Sequence, residues 1–337
     1  MRVIITGIAG FIGSHVAEEM LHSGWEVAGI DDLSGGFIEN VPSQAQFFNR
    51  DCCANLEDIF QSFQPQVVIH LAAYAAEGLS HHIPNFNYQN NVVGTTNVLA
   101  AAYRAGAKHF VFTSSIAAYG HPPDEQPLRE STPCHPCDPY GIAKLACEQH
   151  IAAFHDYYGG PTYTIFRPHN VFGPRQNIAD PYRNVVGIFF RCARQGRPLP
   201  VFGDGSQTRS FSYIDVVARC IAQAAGTREA VNEVFNVGGD QSLSVHELAQ
   251  AVAEVTGTDT GIEHLAPRQE VQHAHADHLK VRKVFPTVFE EAISLTEGLH
   301  LMADFVAGIS IPAATACPSE IEIADRLPAS WRSSGGA

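Results

Sequence analysis

The residues with the clearest chemical potential are a tyrosine and a lysine four positions apart, Tyr140 and Lys144. On a helix this spacing places both side chains on one face. An ammonium group beside a phenol favours the phenolate form, so Tyr140 is a candidate general base near neutral pH. A tyrosine and a lysine at this spacing are common by chance. The alternative is therefore an ordinary pair on a helix surface, and only the neighbouring motifs can argue against it.

Two serines, Ser114 and Ser115, directly follow an apolar run at His109–Thr113. If that run is a strand of a parallel sheet, the serines lie at its carboxyl edge, where ligands bind in open α/β sheets. A hydroxyl at this position can hydrogen-bond a substrate oxygen and pass a proton to the tyrosine. A strand-end serine in a turn is the alternative.

A glycine-rich turn, TGIAGFIG, occupies residues 6–13. Its glycines allow a tight turn and a close approach of the backbone to a pyrophosphate, and the helix that follows supplies free N–H groups. Asp31 ends the next strand, 18 positions after Gly13, where a carboxylate binds both ribose hydroxyls and repels a 2′-phosphate. These features predict NAD rather than NADP. Asp51 could meet the adenine edge, although a solvated turn aspartate is an equally good interpretation.

The elements that must position these residues alternate between short apolar runs and helical segments. This pattern predicts an α/β fold of the Rossmann class, a doubly wound parallel sheet flanked by helices. Strands buried on both faces read as apolar runs rather than as alternations. The predicted strands are Arg2–Thr6, Glu26–Ile30, Gln46–Phe48, Val67–Leu71, His109–Thr113 and Thr162–Arg167; the predicted helices are Phe11–Ser23, Asn85–Ala105 and a helix from Pro139, capped by Asp138, to about Tyr158.

The composition changes at residue 169, where Pro, Gly and Asn become frequent and the elements shorten. We expect a smaller α/β substrate-binding lobe over residues 169–310 and an NAD-binding domain over 1–168, with segments of about 210–240 returning to its sheet. Residues 311–337 show no clear periodicity and are expected to be a loosely ordered tail. Within the lobe the predicted helices are Arg183–Gln195, Ile214–Gly226 and Val245–Thr256, and the predicted strands are Leu199–Phe202 and Glu233–Val237.

The composition is that of an acidic globular protein, with 337 residues, 45% hydrophobic residues and a net charge of −14. A surface this acidic repels phosphate backbones, so no nucleic-acid partner is expected. No apolar run reaches the ~18 residues that span a bilayer, and the first residues lack the pattern of a signal peptide. We therefore expect a cytoplasmic protein without a membrane partner. Its eight cysteines, without regular spacing, are expected to be reduced thiols.

Two groups of metal-ligating residue types occur, and neither predicts a metal site. Cys134 and Cys137 have a ligand-like spacing, but no second Cys/His pair is placed to complete a tetrahedron. Four histidines fall between residues 264 and 278, where a polar loop near the nucleotide pocket is the favoured interpretation.

Taken as a set, the glycine turn, Asp31, the run SSIAAYG at 114–120 and the Tyr140/Lys144 pair resemble the extended short-chain dehydrogenase/reductases. Within them the chain looks most like the NAD-dependent nucleotide-sugar epimerases and dehydratases of the UDP-glucose 4-epimerase type, over roughly residues 1–290. The resemblance implies Ser115 as the catalytic hydroxyl and Tyr140 as the base. It also implies that Lys144 binds the nicotinamide ribose and tunes Tyr140.

The same resemblance implies the residues that contact each ligand. The implied NAD contacts are Gly7, Gly10, Phe11, Ile12, Gly13, Asp31, Asp32, Asp51, Cys52, Leu71, Ala72, Ala73, Asn91, Thr113, Tyr140, Lys144 and Pro168. The implied nucleotide-sugar contacts are Ser115, Tyr140, Asn170, Asn184, Val185, Val201, Phe202, Arg209, Arg268 and Glu270. Two arginines suit a diphosphate because guanidinium groups are permanently charged bidentate donors, although a surface salt bridge is the alternative for either alone.

Four residues narrow the choice of reaction within the family. Ile116 and Ala117 stand where 4,6-dehydratases have an Asp-Glu pair, so elimination of water lacks its acid and base. Gly78 stands where many relatives, including uronic-acid epimerases, have an arginine, which argues against a UDP-glucuronate substrate. A small Ala274 at a pocket-gating position would leave room for an N-acetyl group.

The reaction implied by the resemblance is inversion of C4 in a UDP-hexose, either UDP-glucose and UDP-galactose or their N-acetyl forms. Tyr140 takes the O4 proton while C4 gives hydride to NAD, and the transient 4-keto sugar turns over before hydride returns. The alternatives are a decarboxylase, 5,6-dehydratase or 3,5-epimerase of the same family, or a non-catalytic NAD-sensing protein. The two long helices are implied to form the interface of a homodimer.

Overall fold

Strands and helices alternate along the chain, and the computed structural model describes residues 1–121, 127–267, 271–311, 317–328 and 331. The strands are β1 (Arg2–Thr6), β2 (Glu26–Asp31), β3 (Gln46–Asn49), β4 (Val67–His70), β5 (His109–Thr113), β6 (Thr162–Pro168), β7 (Val171–Phe172), β8 (Leu199–Phe202), β9 (Thr208–Ser210), β10 (Ser212–Tyr213), β11 (Glu233–Val237), β12 (Ser242–Ser244), β13 (Ile262–Leu265) and β14 (His273–Ala274). The helices are α1 (Phe11–His22), α2 (Glu57–Phe63), α3 (Glu77–Ser80), α4 (Pro84–Tyr88), α5 (Gly94–Arg104), α6 (Pro139–Tyr158), α7 (Val185–Arg194), α8 (Ile214–Ala224), α9 (Val245–Thr256), α10 (Leu279–Val284), α11 (Pro286–Glu290) and α12 (Leu295–Gly308).

A seven-stranded parallel sheet forms the centre of the molecule, in the order β3-β2-β1-β4-β5-β6-β11. The strand order reverses between β1 and β4, where Thr6 pairs with His70. A reversal of this kind opens a crevice at the carboxyl ends of the strands, which is where open α/β sheets bind ligands. The predicted doubly wound parallel sheet is confirmed.

Helices cover both faces of this sheet and bury its apolar side chains. On one face α1 packs against α8, and on the other α2, α5 and α6 cover the strands. All residues of β4 and β5 are buried, as expected for central strands between two helical layers.

The predicted single helix Asn85–Ala105 is divided in the structure. It consists of α4, a π-helical turn at Gln89–Val93, and α5. A π turn inserts one residue into the helical repeat, so side chains before and after it point in shifted directions.

A smaller lobe is built from α7, α9 and α12 around β8, β9 and β12–β14. The chain does not stay in this lobe, because β11 returns to pair with β6 at the edge of the main sheet. The boundary at residue 168 between an NAD-binding domain and a substrate lobe stays a prediction.

Residues 317–328 form no helix or strand, yet they contact the first half of the chain. The backbone N–H groups of Glu322 and Ile323 both donate to the carbonyl of His82, at 2.9 and 3.1 Å. Side chains of this stretch join an apolar cluster with Leu79 and Ile83. Within the described ranges, no helix combines the length and the apolar character needed to cross a bilayer.

Candidate active site

A cavity of about 1290 Å³ lies along the carboxyl edge of the central sheet and extends to the smaller lobe. We call it the cleft. Its walls include the glycine turn at one end, Tyr140 and Lys144 in the middle, and Phe202 and Arg209 of the lobe at the other end. The cleft therefore brings residues from distant parts of the sequence to one binding site.

The glycine turn is shaped so that the backbone itself forms the cleft wall. Gly7 has a left-handed φ of 74°, and a Cβ there would lie 2.8 Å from the amide nitrogen of Ala72. A Cβ on Gly13 would lie 1.9 Å from the carbonyl oxygen of Gly7. Helix α1 begins after Gly10, which caps it without a side-chain hydrogen bond, so the first N–H groups of the helix remain available for an anion.

Asp31 ends β2 beside this turn and faces the cleft. Its two carboxylate oxygens accept hydrogen bonds from the N–H groups of Ala9, at 3.0 Å, and Leu33, at 2.8 Å. Burial raises the pKa of Asp31, while these hydrogen bonds favour the charged form and oppose the rise. Asp31 thus holds the glycine turn in addition to presenting a carboxylate to the cleft.

A buried chain of hydrogen bonds supports the opposite wall, formed by Leu71, Ala72 and Ala73. The Thr6 hydroxyl lies 2.6 Å from Nδ1 of His70, and it accepts from the N–H groups of Leu71 and Ala72 at 3.2 and 3.3 Å. Burial lowers the pKa of His70 to about 3, so the imidazole is neutral at physiological pH. The strand-end wall is therefore held by uncharged partners.

Helix α6 positions Tyr140 and Lys144 as the sequence predicts. Asp138 accepts from the N–H of Gly141 at 2.8 Å, and Pro139 occupies the first turn, so the helix begins at a fixed residue. The Lys144 ammonium donates to the carbonyl of Thr113 at 2.8 Å and lies 5.8 Å from the centre of the Tyr140 ring. Both side chains are buried at the cleft wall.

The electrostatics of this pair differ from the sequence prediction of a phenolate favoured near neutral pH. Burial is the main cause that raises the pKa of Tyr140 above its ordinary value, and the charge of Glu77 adds to the rise. A hydrogen bond with Ser115 and the charge of Arg183 lower it. Burial also lowers the pKa of Lys144 to about 8, partly offset by Cys147 and Glu148. Deprotonation of Tyr140 therefore requires further positive charge in the cleft.

The two candidate serines have different partners. The backbone of Ser115 begins the short helical turn Ile116–Tyr119, whose Ala117 N–H donates to the Ser115 hydroxyl at 3.1 Å. Ser115 is also near enough to Tyr140 to lower the pKa of its phenol. Ser114 instead donates to Glu148. The geometry favours Ser115 as the hydroxyl that meets a substrate.

Behind the serines lies a buried ion pair between β6 and α6. The Arg167 guanidinium donates to Glu148 through Nε at 2.9 Å and Nη2 at 2.5 Å, and both side chains are less than 8% exposed. Arg167 also lies over the Tyr119 ring, 4.6 Å from its centre. These contacts fix the backbone that presents Ser115.

The lobe supplies the other wall of the cleft. Asn170 donates to the carbonyl of Ser210 at 3.0 Å, and Asn184 caps α7 by accepting from Val186 at 3.0 Å. Arg209 donates to the backbone carbonyls of Thr208, at 2.8 Å, and Gln272, at 3.1 Å, while it lines the cleft. The residues of both ligand predictions that line the cleft are Gly7, Gly10, Phe11, Ile12, Gly13, Asp31, Asp32, Asp51, Cys52, Leu71, Ala72, Ala73, Thr113, Ser115, Tyr140, Lys144, Pro168, Asn170, Asn184, Val185, Phe202 and Arg209.

Two predicted contacts do not line the cleft. Asn91 accepts from the N–H of Tyr74 at 2.9 Å and donates to its carbonyl at 3.2 Å, whereas its neighbour Asn90 lines the cleft. Val201 is fully buried in the core of the lobe, and Phe202 lines the cleft beside it. Arg268 and Glu270 lie outside the described residues, and their roles stay predictions.

The structure adds cleft residues that the sequence did not single out. Arg183 lies over the Tyr74 ring, 4.3 Å from its centre, and its Nε is 2.9 Å from a carboxylate oxygen of Asp180. Its Nη2 is 3.0 Å from a Cβ placed on Gly35. No local sequence pattern singles out Arg183, because its place in the cleft depends on its contacts with Tyr74, Asp180 and Gly35. Within the described residues, no group of three His, Cys, Asp or Glu side chains could hold a metal ion.

Comparisons with known proteins agree with this architecture. A model of the NAD dependent epimerase/dehydratase family matches residues 3–238. A UDP-glucose 4-epimerase of Mycolicibacterium smegmatis is 35% identical over 315 residues, which cover 90% of this chain and 98% of the relative. The structure of a Thermotoga maritima UDP-glucose 4-epimerase with UDP-glucose has a TM-score of 0.86 and 34% identity, covering 91% of this chain and 99% of that chain. A Thermus thermophilus UDP-glucose 4-epimerase with NAD has a TM-score of 0.85 and 31% identity, covering 92% and 100%.

Proposed function

The chain belongs to the NAD dependent epimerase/dehydratase family, and from this membership we propose that it inverts C4 of a UDP-hexose through a transient 4-keto sugar. The proposed substrates are UDP-glucose and UDP-galactose, together with their N-acetyl forms. One observation supports the proposal above all others. Ser115, Tyr140 and Lys144 meet on the wall of the cleft that also holds the glycine turn.

NAD is the cofactor of this family, and the residues of the cleft fit it. The close approach at Gly7 and Gly13 leaves a backbone cradle that any Cβ would fill. The uncapped start of α1 provides N–H groups for a pyrophosphate, and Asp31 provides a carboxylate for ribose hydroxyls. Each of these features suits one part of the dinucleotide.

The proposed mechanism assigns a separate task to each residue. When bound, NAD supplies the redox step by accepting the C4 hydride and returning it. Tyr140 removes the proton from O4, and Ser115, which lowers the pKa of the Tyr140 phenol, holds the same oxygen. Lys144 supplies a positive charge beside the phenol, held in place by the Thr113 carbonyl. Because burial and the charge of Glu77 oppose ionisation of Tyr140, the proton transfer depends on cationic groups in the cleft.

The residues beside Ser115 support epimerisation rather than elimination of water. Ile116 and Ala117 carry no titratable group, so no carboxylate pair follows the catalytic hydroxyl. Gly78 supplies no cation at the position where the family resemblance implies an arginine in uronic-acid epimerases, which supports a neutral hexose over a uronate. Tyr140 then serves as the base for both directions of a reversible reaction.

The test of this function is product analysis combined with a variant of the base. Incubation with UDP-glucose or UDP-galactose, followed by NMR of the sugar, is expected to give both 4-epimers. Tyr140→Phe is expected to lower kcat by about 10³-fold while the protein retains NAD, because only the proton-transfer group is removed. Tyr157→Phe, on an exposed tyrosine of the same helix, is the matched control and is expected to leave kcat unchanged.

Three results would contradict the proposal in different ways. Release of water or CO₂ without a 4-epimer would point to another reaction of the family. Turnover that survives in Tyr140→Phe would point to another base. Retention of NAD with no turnover of any nucleotide sugar would favour a sensing role.

We also propose that the protein is a homodimer that pairs α5 and α6 with the same helices of a second copy. The outer faces of these helices expose apolar and aromatic side chains, among them Tyr103, Tyr157 and Tyr158 at 41%, 82% and 52% exposure. Aromatic side chains concentrated in one patch are typical of protein–protein interfaces.

A further inference from the structure

The C-terminal segment, defined as residues 317–328 and Trp331, returns from the lobe to the edge of the cleft. Glu322 holds it there through both its backbone and its side chain. Its backbone N–H donates to the His82 carbonyl at 2.9 Å, and its carboxylate accepts from the N–H groups of Asn85 and Phe86 at 2.9 and 3.0 Å. These last two groups belong to the first turn of α4, where N–H groups lack helical partners. The segment is therefore anchored on named backbone donors.

Trp331 lies beside Gly78, the position at which the family resemblance implies an arginine in many relatives. A Cβ placed on Gly78 would lie 3.1 Å from Cη2 of the indole. The indole also meets the rings of Tyr182 and His82 edge-on, with centroid distances of 5.2 and 6.3 Å. The small residue at position 78 and the large residue at position 331 thus occupy neighbouring space.

This part of the cleft lies beside Tyr140, in the middle, where the proposed oxidation takes place. Gly78 and Ser80 both belong to α3, and the Ser80 hydroxyl accepts from the backbone N–H of Tyr140 at 3.3 Å. The proposed nucleotide contacts, Phe202 and Arg209, lie on the lobe. The C-terminal segment therefore borders the proposed sugar site, which lies beside Tyr140 in the middle of the cleft.

Five residues of the segment line the cleft: Ile323, Asp325, Arg326, Pro328 and Trp331. Among the described residues, the side chains of Asp325 and Arg326 form no hydrogen bond or ion pair. The aspartate can accept hydrogen bonds from sugar hydroxyls, and the arginine can donate hydrogen bonds to them. An indole offers an apolar face to the C–H groups of a pyranose ring.

We propose that the C-terminal segment is a wall of the sugar site and that Trp331 determines which hexose substituents fit beside Tyr140. This inference rests on the proposed nucleotide-sugar function. Trp331 fills the space next to Gly78, so its removal enlarges the pocket at the sugar and leaves the glycine turn untouched.

Tryptophan fluorescence tests the contact directly, because the chain has two tryptophans, Trp25 and Trp331. Trp25 precedes β2 at the amino end of the sheet, away from the cleft. In Trp25→Phe, saturating UDP-glucose is expected to change the Trp331 emission, whereas saturating UDP is not, because UDP occupies only the nucleotide end. In the matched Trp331→Phe protein, neither ligand is expected to change the emission. Should Trp25→Phe fail to fold, the difference between the wild type and Trp331→Phe gives the same readout.

Kinetics test the role in specificity. Trp331→Ala is expected to raise the ratio of kcat/KM for UDP-N-acetylglucosamine to that for UDP-glucose by about tenfold, with unchanged NAD content, because the bulkier sugar gains space. Glu320→Ala is the control, since its side chain is exposed in the same segment and does not line the cleft. An unchanged ratio would overturn the role in specificity, and Trp331 emission that does not respond to UDP-glucose would overturn the wall itself.

Failure of the wall and failure of the proposed function are distinguishable by calorimetry. If UDP-glucose binds and is epimerised while the Trp331 emission does not change, the segment is not a wall of the sugar site and the proposed function stands. If no nucleotide sugar binds to the NAD-loaded protein, the proposed function fails, and the inference about the segment fails with it.

Discussion

Lys144 is a charged residue in a position that disfavours charge. The residue is 4% exposed and its ammonium donates to one backbone carbonyl, and burial lowers its pKa from 10.5 to about 8. The same burial raises the pKa of Tyr140. A pair of this kind costs stability in the free protein, and under the proposed function its chemistry offsets that cost.

The first prediction follows from this lowered pKa. Between pH 8 and 10.5 the unfolded chain binds a proton at Lys144 that the folded chain has lost, so the stability contribution of Lys144 rises with pH across this window. Lys144→Met lacks the rise. Between pH 7 and pH 10, the free energy of unfolding of the wild type is therefore expected to rise by about 2 kcal/mol more than that of Lys144→Met.

Urea unfolding at several pH values, at one fixed NAD concentration, measures this difference. Lys108→Met removes an exposed lysine and serves as the control, with a stability difference that should stay flat. A flat difference for Lys144→Met as well would show that Lys144 has an ordinary pKa. Loss of turnover in Lys144→Met is expected at every pH, because the charge beside Tyr140 is gone.

The role of a residue could be predicted where it depends on neighbours close in sequence. It could not be predicted where it depends on the direction in which a side chain points. Tyr140 and Lys144 share a face because a helix repeats every 3.6 residues, whatever surrounds it. Val201 was predicted to contact the nucleotide, but side chains alternate along β8, so Val201 points into the core while Phe202 points to the cleft. A single sequence does not show which face of a strand meets the ligand.

At the scale of elements, the contact between α6 and β6 is the one on which the catalytic geometry depends. Glu148 lies one helical turn after Lys144 and joins Arg167 of β6 to Ser114 at the end of β5. Three elements that each contribute to the cleft wall therefore meet at one buried carboxylate.

The second prediction concerns this ion pair. Glu148→Leu and Arg167→Leu, made singly, are each expected to lower the free energy of unfolding by about 3–5 kcal/mol, because each leaves an uncompensated buried charge. The double variant is expected to lose less than the sum of the two. A double-mutant cycle measured by urea unfolding provides the coupling energy. The matching cycle on Arg50 and Asp58, an exposed pair at 3.3 Å, should give less than about 1 kcal/mol. Strictly additive losses at Glu148 and Arg167 would contradict the prediction.

Most elements of the central sheet follow from their apolar runs, within a residue or two at each end. The helix predicted over Asn85–Ala105 shows what such patterns omit. Its π turn at Gln89–Val93 depends on packing against α6 and on the Asn91 bonds to the Tyr74 backbone, neither of which is encoded in periodicity. Asn90, rather than Asn91, lines the cleft.

At the scale of the whole molecule, the exposed tyrosines of α5 and α6 form a connected aromatic patch. The Tyr103 ring lies 5.3 Å from both Phe154 and Tyr158, and Tyr157 lies 4.8 Å from Tyr158. An aromatic patch on a helix pair, without cover from the rest of the described chain, is a surface that a second copy would bury.

The third prediction is that the protein has twice the 36.5 kDa mass of one chain in solution, and that the patch holds the two copies together. Tyr157→Asp is expected to weaken association by at least about tenfold, because it places a charge in a buried apolar contact. Light scattering after size exclusion, over a range of concentrations, measures the effect. Val231→Asp, at an exposed residue outside these helices, should leave the mass unchanged. A wild-type protein of monomeric mass would refute the patch as an interface.

The return of β11 to the central sheet has a consequence for any attempt to divide this protein. A fragment ending at residue 168 would end in β6, whose outer edge would then lack its partner Glu233–Val237. The same cut would remove α8 and uncover the apolar side of α1. Unpaired edges and stripped apolar helices favour aggregation. The parts of the chain before and after residue 168 are therefore expected to need co-expression. Transfer of residues 1–168 to another scaffold would require a fusion that also carries residues 210–240.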